Sequence, residues 1–135
     1  MKTREQVERA KCFLCNRLNQ LAYNIGTIKA CEAEPGLFEL YEPEESDYIE
    51  IENYIEIEKN EIEHHIKFIY GNDDLMKKVC KVLTPYMEDM IFNKTMALMY
   101  EGIGNDEDYS KAFDRFTKNR DKMYNFILKS KTVLD

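Results

Sequence analysis

The chain has 135 residues, 44% of them hydrophobic, which suits one ordinary domain over residues 1–135 and is too short for two. Its 26 acidic and 19 basic residues give a formal charge of −7, which argues against general attraction to nucleic acids or anionic membranes. No stretch is long and apolar enough to span a bilayer, and the four cysteines are expected to be reduced, so a cytoplasmic protein is predicted.

The first predicted element is a helix over residues 3–33. Its apolar residues recur at helical spacings, which places them on one stripe. Thr3 is the predicted N-cap, and Pro35-Gly36 is expected to end the element because this pair breaks helices. The stripe consists of Val7, Leu14, Leu18, Leu21, Ile25 and Ile28.

An isoleucine–glutamate run over residues 48–70 follows, and it has two interpretations. As a helix it starts after an N-cap at Ser46, and its apolar residues form one stripe. As strands, residues 48–58 would form a hairpin without a turn glycine, and Glu50 would directly face the like-charged Glu56. The helix is therefore predicted, with an α+β fold as the alternative. The helical stripe consists of Tyr48, Ile51, Ile55, Ile62, Ile66 and Ile69.

Two more helices are predicted, over residues 73–101 and 107–131. Thr84-Pro85 interrupts the first of them, so a kinked helix and two abutting helices are both open. Four helices of similar length predict an all-α fold, an antiparallel four-helix bundle with a proline-interrupted third helix. The inward residues are Leu75, Met76, Val79, Leu83, Met87, Met90 and Ala97, then Tyr109, Ala112, Phe116, Met123 and Ile127.

One candidate site is a metal centre. In an antiparallel bundle, Cys12 and Cys15 lie at the same height along the bundle axis as His64 and His65. Cys80 is expected in the same layer. Cysteine and histidine in this combination are ligands typical of tetrahedral zinc. Helical phase favours the alternative that Cys15 and Cys80 are small core residues, because it turns Cys12 and His64 outward.

A second hypothesis concerns Glu58 and Arg120. Helical phase places both on inward stripes at similar heights, so they are predicted to form a partly buried ion pair that specifies helix pairing. The alternative is that both charged ends extend to solvent.

A third candidate is a partner-binding surface on the helix over residues 48–70, which carries more apolar residues than one stripe needs. Isoleucine and tyrosine beside glutamate suit either a homodimer seam or a docking face for a basic protein. The alternative is that the connection over residues 34–45 covers them. The predicted partner-binding residues are Ile49, Glu50, Tyr54, Glu56, Ile57 and Glu61.

Catalytic chemistry has little support in the sequence. It contains no nucleophile elbow, phosphate-binding loop, dinucleotide fingerprint or metalloprotease histidine pair, so no catalytic residue is predicted. The sequence instead predicts a small acidic protein that acts by protein–protein contact, as an adaptor, regulator or inhibitor. Small acidic proteins of phages and mobile elements offer an analogy, because they block basic surfaces of proteins that handle nucleic acids. A metal-binding bundle, with zinc as cofactor, is the alternative.

Overall fold

In the computed structural model, the described part of the chain comprises residues 2–34 and 45–135, with side chains described from residue 49 onward in the second range. It forms four helices: α1 (Arg4–Ala33), α2 (Glu45–Tyr70), α3 (Asp73–Gly102) and α4 (Asp106–Lys129). These residues contain no strand, so the all-α prediction is confirmed and the hairpin alternative is wrong.

Side chains cap the N-termini of α1, α3 and α4, and the cap of α1 is Thr3, as predicted. The Thr3 hydroxyl accepts a hydrogen bond from the backbone N–H of Gln6, whose side chain accepts one from the N–H of Thr3 in return. The side-chain oxygens of Asn72 and Asn105 cap α3 and α4 by accepting hydrogen bonds from the backbone N–H groups of Leu75 and Asp108. Helix α2 begins at Glu45, so Ser46 lies inside it and does not precede it as an N-cap. The side chains of Ser46 and Tyr48 are outside the described part of the chain.

Glycines with left-handed backbone make the two tight turns. Gly71, with φ of 70°, separates α2 from α3, and Gly104, with φ of 74°, separates α3 from α4. A side chain at either position would strain the backbone, which explains why glycine stands at both.

The third helix is one continuous helix through Pro85. Thr84 does not cap a second segment, because its hydroxyl donates back to the Cys80 carbonyl at 2.8 Å inside the same helix. Proline removes one backbone donor, and the surrounding helix tolerates that loss.

The predicted stripes form the core. Apolar residues of all four helices meet in one cluster, with Met90, Met123 and Ile127 fully buried at its centre. Stripe residues near the helix ends or edges are half-buried. The buried stripe residues are Val7, Leu14, Leu18, Leu21, Ile55, Ile62, Ile66, Ile69, Val79, Leu83, Met90, Ala97, Ala112, Phe116, Met123 and Ile127.

Helix α1 packs against all three other helices. Helices α1 and α3 pack extensively, whereas α2 meets α3 in few places and does not meet α4 within the described residues. Gly26 permits the close approach of α1 and α3, since a Cβ built there would lie 2.7 Å from Cβ and Cγ of Lys94. Among the described residues, helix α2 therefore has one main neighbour, α1. Most of the connection over residues 34–45, which the alternative prediction places over the outer side of α2, lies outside the described part of the chain.

Candidate partner-binding surface

Three large apolar side chains are exposed on the side of α2 that faces away from the other described helices. Ile49, Tyr54 and Ile57 are 54%, 53% and 52% exposed. Glu50 and Glu56 lie among them and are exposed as well. We call this set of five residues the acidic face. Large apolar residues grouped on one exposed helix surface are typical of sites that contact another molecule.

The sixth predicted partner-binding residue, Glu61, has a different environment. It is half-buried between α1 and α2, and its Oε2 lies 2.6 Å from Nε of Arg17. This ion pair joins the two helices, so Glu61 is at the edge of the acidic face and is already engaged within the chain.

An open groove continues the same surface toward the end of α2. It has a volume of about 380 Å³, and apolar and aromatic side chains form most of its lining. Phe13 is half exposed, and its ring packs edge-on against His65 with centroids 6.0 Å apart. His65 is oriented from its other side, where Nδ1 lies 2.6 Å from the Glu61 carbonyl oxygen. We call this set the aromatic groove: Gln6, Arg9, Ala10, Phe13, His64, His65 and Phe68.

The sequence did not predict this groove: of its lining residues, only His64 and His65 are named there, as candidate metal ligands. The sequence signal for Phe13 is that it is an aromatic residue off the apolar stripe of α1, one position before Leu14. That signal alone did not reveal that Phe13 lies opposite the histidines of α2, because this depends on how the two helices pack.

The five predicted metal ligands are distributed over two sides of the bundle. His64 and His65 line the aromatic groove on the outer side of α1 and α2. Cys80 is exposed, so the alternative that it is a core residue is wrong, and it lines an apolar groove between α1, α2 and α3 together with Leu18 and Ile66. Within the described residues no three histidine, cysteine, aspartate or glutamate side chains form a group that could hold a metal ion.

The two cysteines of α1 differ in environment. Cys12 is exposed and Cys15 is buried. Burial raises the pKa of the Cys15 thiol to about 11, and proximity to Cys12 adds to the rise. A thiol with so high a pKa is protonated at neutral pH, which makes Cys15 a poor metal ligand and a poor nucleophile in this state.

The predicted ion pair between Glu58 and Arg120 is wrong. Glu58 is buried as predicted, but it accepts a hydrogen bond from Nδ2 of Asn24 at 3.1 Å. Arg120 pairs with its neighbour Asp121 at 3.2 Å and lies over the ring of Tyr124. Similar height does not bring the two together, because α2 and α4 do not contact each other within the described residues.

Comparison of the chain with known protein families, with curated proteins and with solved structures finds no match. Among the described helices, none combines the length and the apolar character needed to cross a membrane.

Proposed function

We propose that the protein is non-enzymatic and acts by protein–protein contact, as an adaptor, regulator or inhibitor, through the acidic face of α2. The observation that carries this proposal is the exposure of Ile49, Tyr54 and Ile57, each more than half, on one surface of one helix. Tyrosine is enriched in protein interfaces because its ring buries a large area while its hydroxyl remains hydrogen-bonded.

The charge of this surface indicates the chemistry of the partner. Residues 49–57 include three glutamates and no lysine or arginine, and the whole chain carries a charge of −7. Such a surface attracts a basic partner over a distance and repels acidic ones. By analogy with small acidic inhibitor proteins, the basic surface of a protein that handles nucleic acid is one partner of this kind.

The test is capture of partner proteins by the immobilised chain from an extract of its source cell. The substitution Ile57→Lys places a charge at the centre of the acidic face, so we expect the wild-type protein to retain a binding protein that this variant loses. Phe92→Lys is the matched control, because Phe92 is 60% exposed on α3. Equal retention by the wild type and Ile57→Lys would contradict the proposal.

Metal binding by Cys12, Cys15, His64, His65 and Cys80 remains the alternative prediction. Elemental analysis of protein purified without chelators tests it, with a stoichiometric amount of zinc as the positive result. The acidic-face proposal requires no metal, so the two hypotheses are separated by this measurement.

A further inference from the structure

Helix α2 is held most firmly at its last turn. Nζ of Lys2 donates a hydrogen bond to the Phe68 carbonyl at 2.7 Å. The hydroxyl groups of Tyr70 and Ser130 lie 2.7 Å apart and share a second hydrogen bond. Ile69 and Tyr70 are also fully buried. This end of α2 is therefore fixed by residues from the beginning and the end of the chain.

The preceding part of α2, residues 49–66, is attached less firmly. Among the described residues, α2 packs mainly on α1, meets α3 in few places and does not meet α4. Its inward residues Ile55, Ile62 and Ile66 are 9%, 8% and 9% exposed, compared with at most 4% for the buried apolar residues of α3 and α4. Local opening of a folded protein begins where few buried contacts hold an element. We therefore expect residues 49–66 to open more easily than the other described helices.

The contact between α1 and α2 contains a carboxylate that its neighbours satisfy only in part. Glu58 is 5% exposed, and its Oε1 accepts a hydrogen bond from Nδ2 of Asn24 at 3.1 Å. Its Oε2 has no hydrogen-bond partner among the described residues. A buried charged oxygen without a partner costs free energy, because water would otherwise solvate it. Separation of α2 from α1 returns this oxygen to water, so the cost favours the separated state.

The other charged groups between α1 and its neighbours differ from Glu58. Lys11 donates to two carbonyl oxygens at the end of α4, so separating α1 from α4 would break favourable interactions. The second ion pair between α1 and α2, Arg17 with Glu61, has side chains that are 43% and 38% exposed. An ion pair with this much exposure contributes little to stability. The charged groups therefore also predict that α2 is the helix that separates first.

We propose that residues 49–66 of α2 separate from α1 as one unit while the last turn of α2 stays in place, and that ionisation of Glu58 promotes this separation. The hinge lies between Ile66 and Phe68, where the less firmly attached part of α2 meets its fixed end. The fold thus contains a switch that responds to protonation of one carboxyl group. The switch goes beyond the proposed function and is independent of it, because Glu58 lies on the inner side of α2.

The direction of the response follows from the surroundings of Glu58 in the two states. In the closed state burial raises its pKa, Arg17 of α1 and the Asn24 amide oppose the rise, and Glu61 of α2 adds to it. In the open state the carboxyl group is in water, where its pKa is close to the ordinary value. The closed state therefore binds the proton more tightly, and opening releases it at pH values between the two pKa values. A rise in pH through this range increases the ratio of open to closed α2 by at most about tenfold per pH unit, because one proton is released.

Hydrogen exchange of the purified full chain, measured by mass spectrometry, detects the opening. Exchange is compared at several pH values from mildly acidic to neutral, after correction for the intrinsic pH dependence of amide exchange. Peptides from residues 49–66 are expected to lose protection before peptides from α1, α3 and α4. Their protection is expected to fall as pH rises, whereas the amides of the last turn of α2 stay protected.

Two substitutions of Glu58 test its role. Glu58→Gln removes the ionisable group and keeps an acceptor for Asn24, so it is expected to raise the protection of residues 49–66 at neutral pH by about tenfold or more and to remove most of its pH dependence. Glu58→Met is expected to act in the same way, because an apolar side chain of similar length suits a buried position. Glu56→Gln is the matched control, since it makes the same charge change at an exposed position of the same helix and should leave protection unchanged. Other titratable side chains at the contact, such as His65, are present in every variant, so the differences report Glu58.

Equal protection of residues 49–66 and α1, or protection that does not fall as pH rises, would overturn the switch. So would exchange in the two Glu58 variants that matches the wild type, or a Glu56→Gln variant that changes exchange as much as they do. Circular dichroism checks that each variant keeps the helix content of the wild type. The proposed function fails on a different result, which is equal capture of partner proteins by the wild type and Ile57→Lys, so either proposal can fail while the other holds.

Discussion

At the scale of single residues, the most unusual group is the carboxylate of Glu58. It is 5% exposed, and its Oε1 accepts one hydrogen bond from Asn24. Its Oε2 has no hydrogen-bond partner among the described residues. Burial raises the pKa of Glu58 above its ordinary value, and the nearby Arg17 and the Asn24 amide only partly oppose the rise. When Glu58 is ionised, its buried charge is therefore only partly compensated by its neighbours.

This environment predicts how stability depends on pH. Because the pKa of Glu58 is higher in the folded than in the unfolded state, the folded state binds more protons between the two values. The contribution of Glu58 to the free energy of unfolding therefore falls as pH rises through that range. The substitution Glu58→Gln mimics the protonated form, so we expect it to raise the free energy of unfolding at pH 7 and to lose this advantage at acidic pH.

Urea unfolding at several pH values measures the effect of Glu58→Gln. Glu56→Gln is the control, since Glu56 is exposed two residues earlier on the same helix and should show little pH-dependent difference. A Glu58→Gln variant less stable than the wild type at pH 7 would mean that the Asn24 and Arg17 interactions outweigh the burial of the charge.

At the scale of helices, the contact between α1 and α3 determines the shape of the bundle. Ala22, Gly26 and Ala30 form a buried row of small residues at four-residue spacing on α1. Lys94 of α3 lies against this row, and its ammonium group is 3.7 Å from the centre of the Tyr23 ring. The Thr95 hydroxyl also reaches the Gly26 carbonyl, at 3.4 Å. Small residues let the two backbones approach, and the long lysine stem fills the space beside them.

The substitution Gly26→Ala tests this contact. Alanine is a better helix former than glycine by about 1 kcal/mol, but the added methyl group would overlap Cβ of Lys94, which cannot move without its backbone. Overpacking of this kind typically costs about 1–3 kcal/mol, so we expect net destabilisation in chemical unfolding. Gln20→Ala, at an exposed position of α1, is the control and should be neutral or slightly stabilising. A more stable Gly26→Ala variant would show that α1 and α3 separate easily.

At the scale of the whole molecule, residues distant in sequence close one end of the bundle. Lys11 of α1 is 2% exposed, and its ammonium group donates to the carbonyl oxygens of Leu128 and Ser130 at the end of α4. A cation at this place also complements the negative end of the helix dipole. Val133 donates its N–H to the Ile69 carbonyl and packs on Gly71, which joins the residues after α4 to the turn between α2 and α3.

Removing the ammonium group of Lys11 should therefore destabilise the whole fold. Lys11→Met keeps a long apolar stem but leaves two carbonyl oxygens without their donor, at a cost of about 2 kcal/mol. Lys29→Met is the matched control, because Lys29 is an exposed lysine of the same helix. The midpoints of denaturant unfolding compare the two variants. Equal midpoints would mean that water replaces the lysine at no cost.

The sequence by itself determined the helices and the residues that they bury. Helix formation depends on signals that act over a few residues, so they can be recognised in the sequence alone. These signals are the apolar periodicity, the Thr3 cap, the turn glycines and the capping asparagines. The sequence also showed that α2 has more apolar residues than one inward stripe needs. It did not show whether another helix covers the additional ones.

Only the tertiary structure decided which helices are neighbours. Gly26 lets α1 and α3 pack closely against each other. Helices α2 and α4 do not contact each other within the described residues. Glu58 of α2 therefore hydrogen-bonds to Asn24 of α1 and does not pair with Arg120 of α4. The same arrangement leaves the acidic face exposed and places Phe13 beside His65. Helical phase gives the direction of a side chain on its own helix, whereas its partners depend on packing between helices, which is a property of the whole chain.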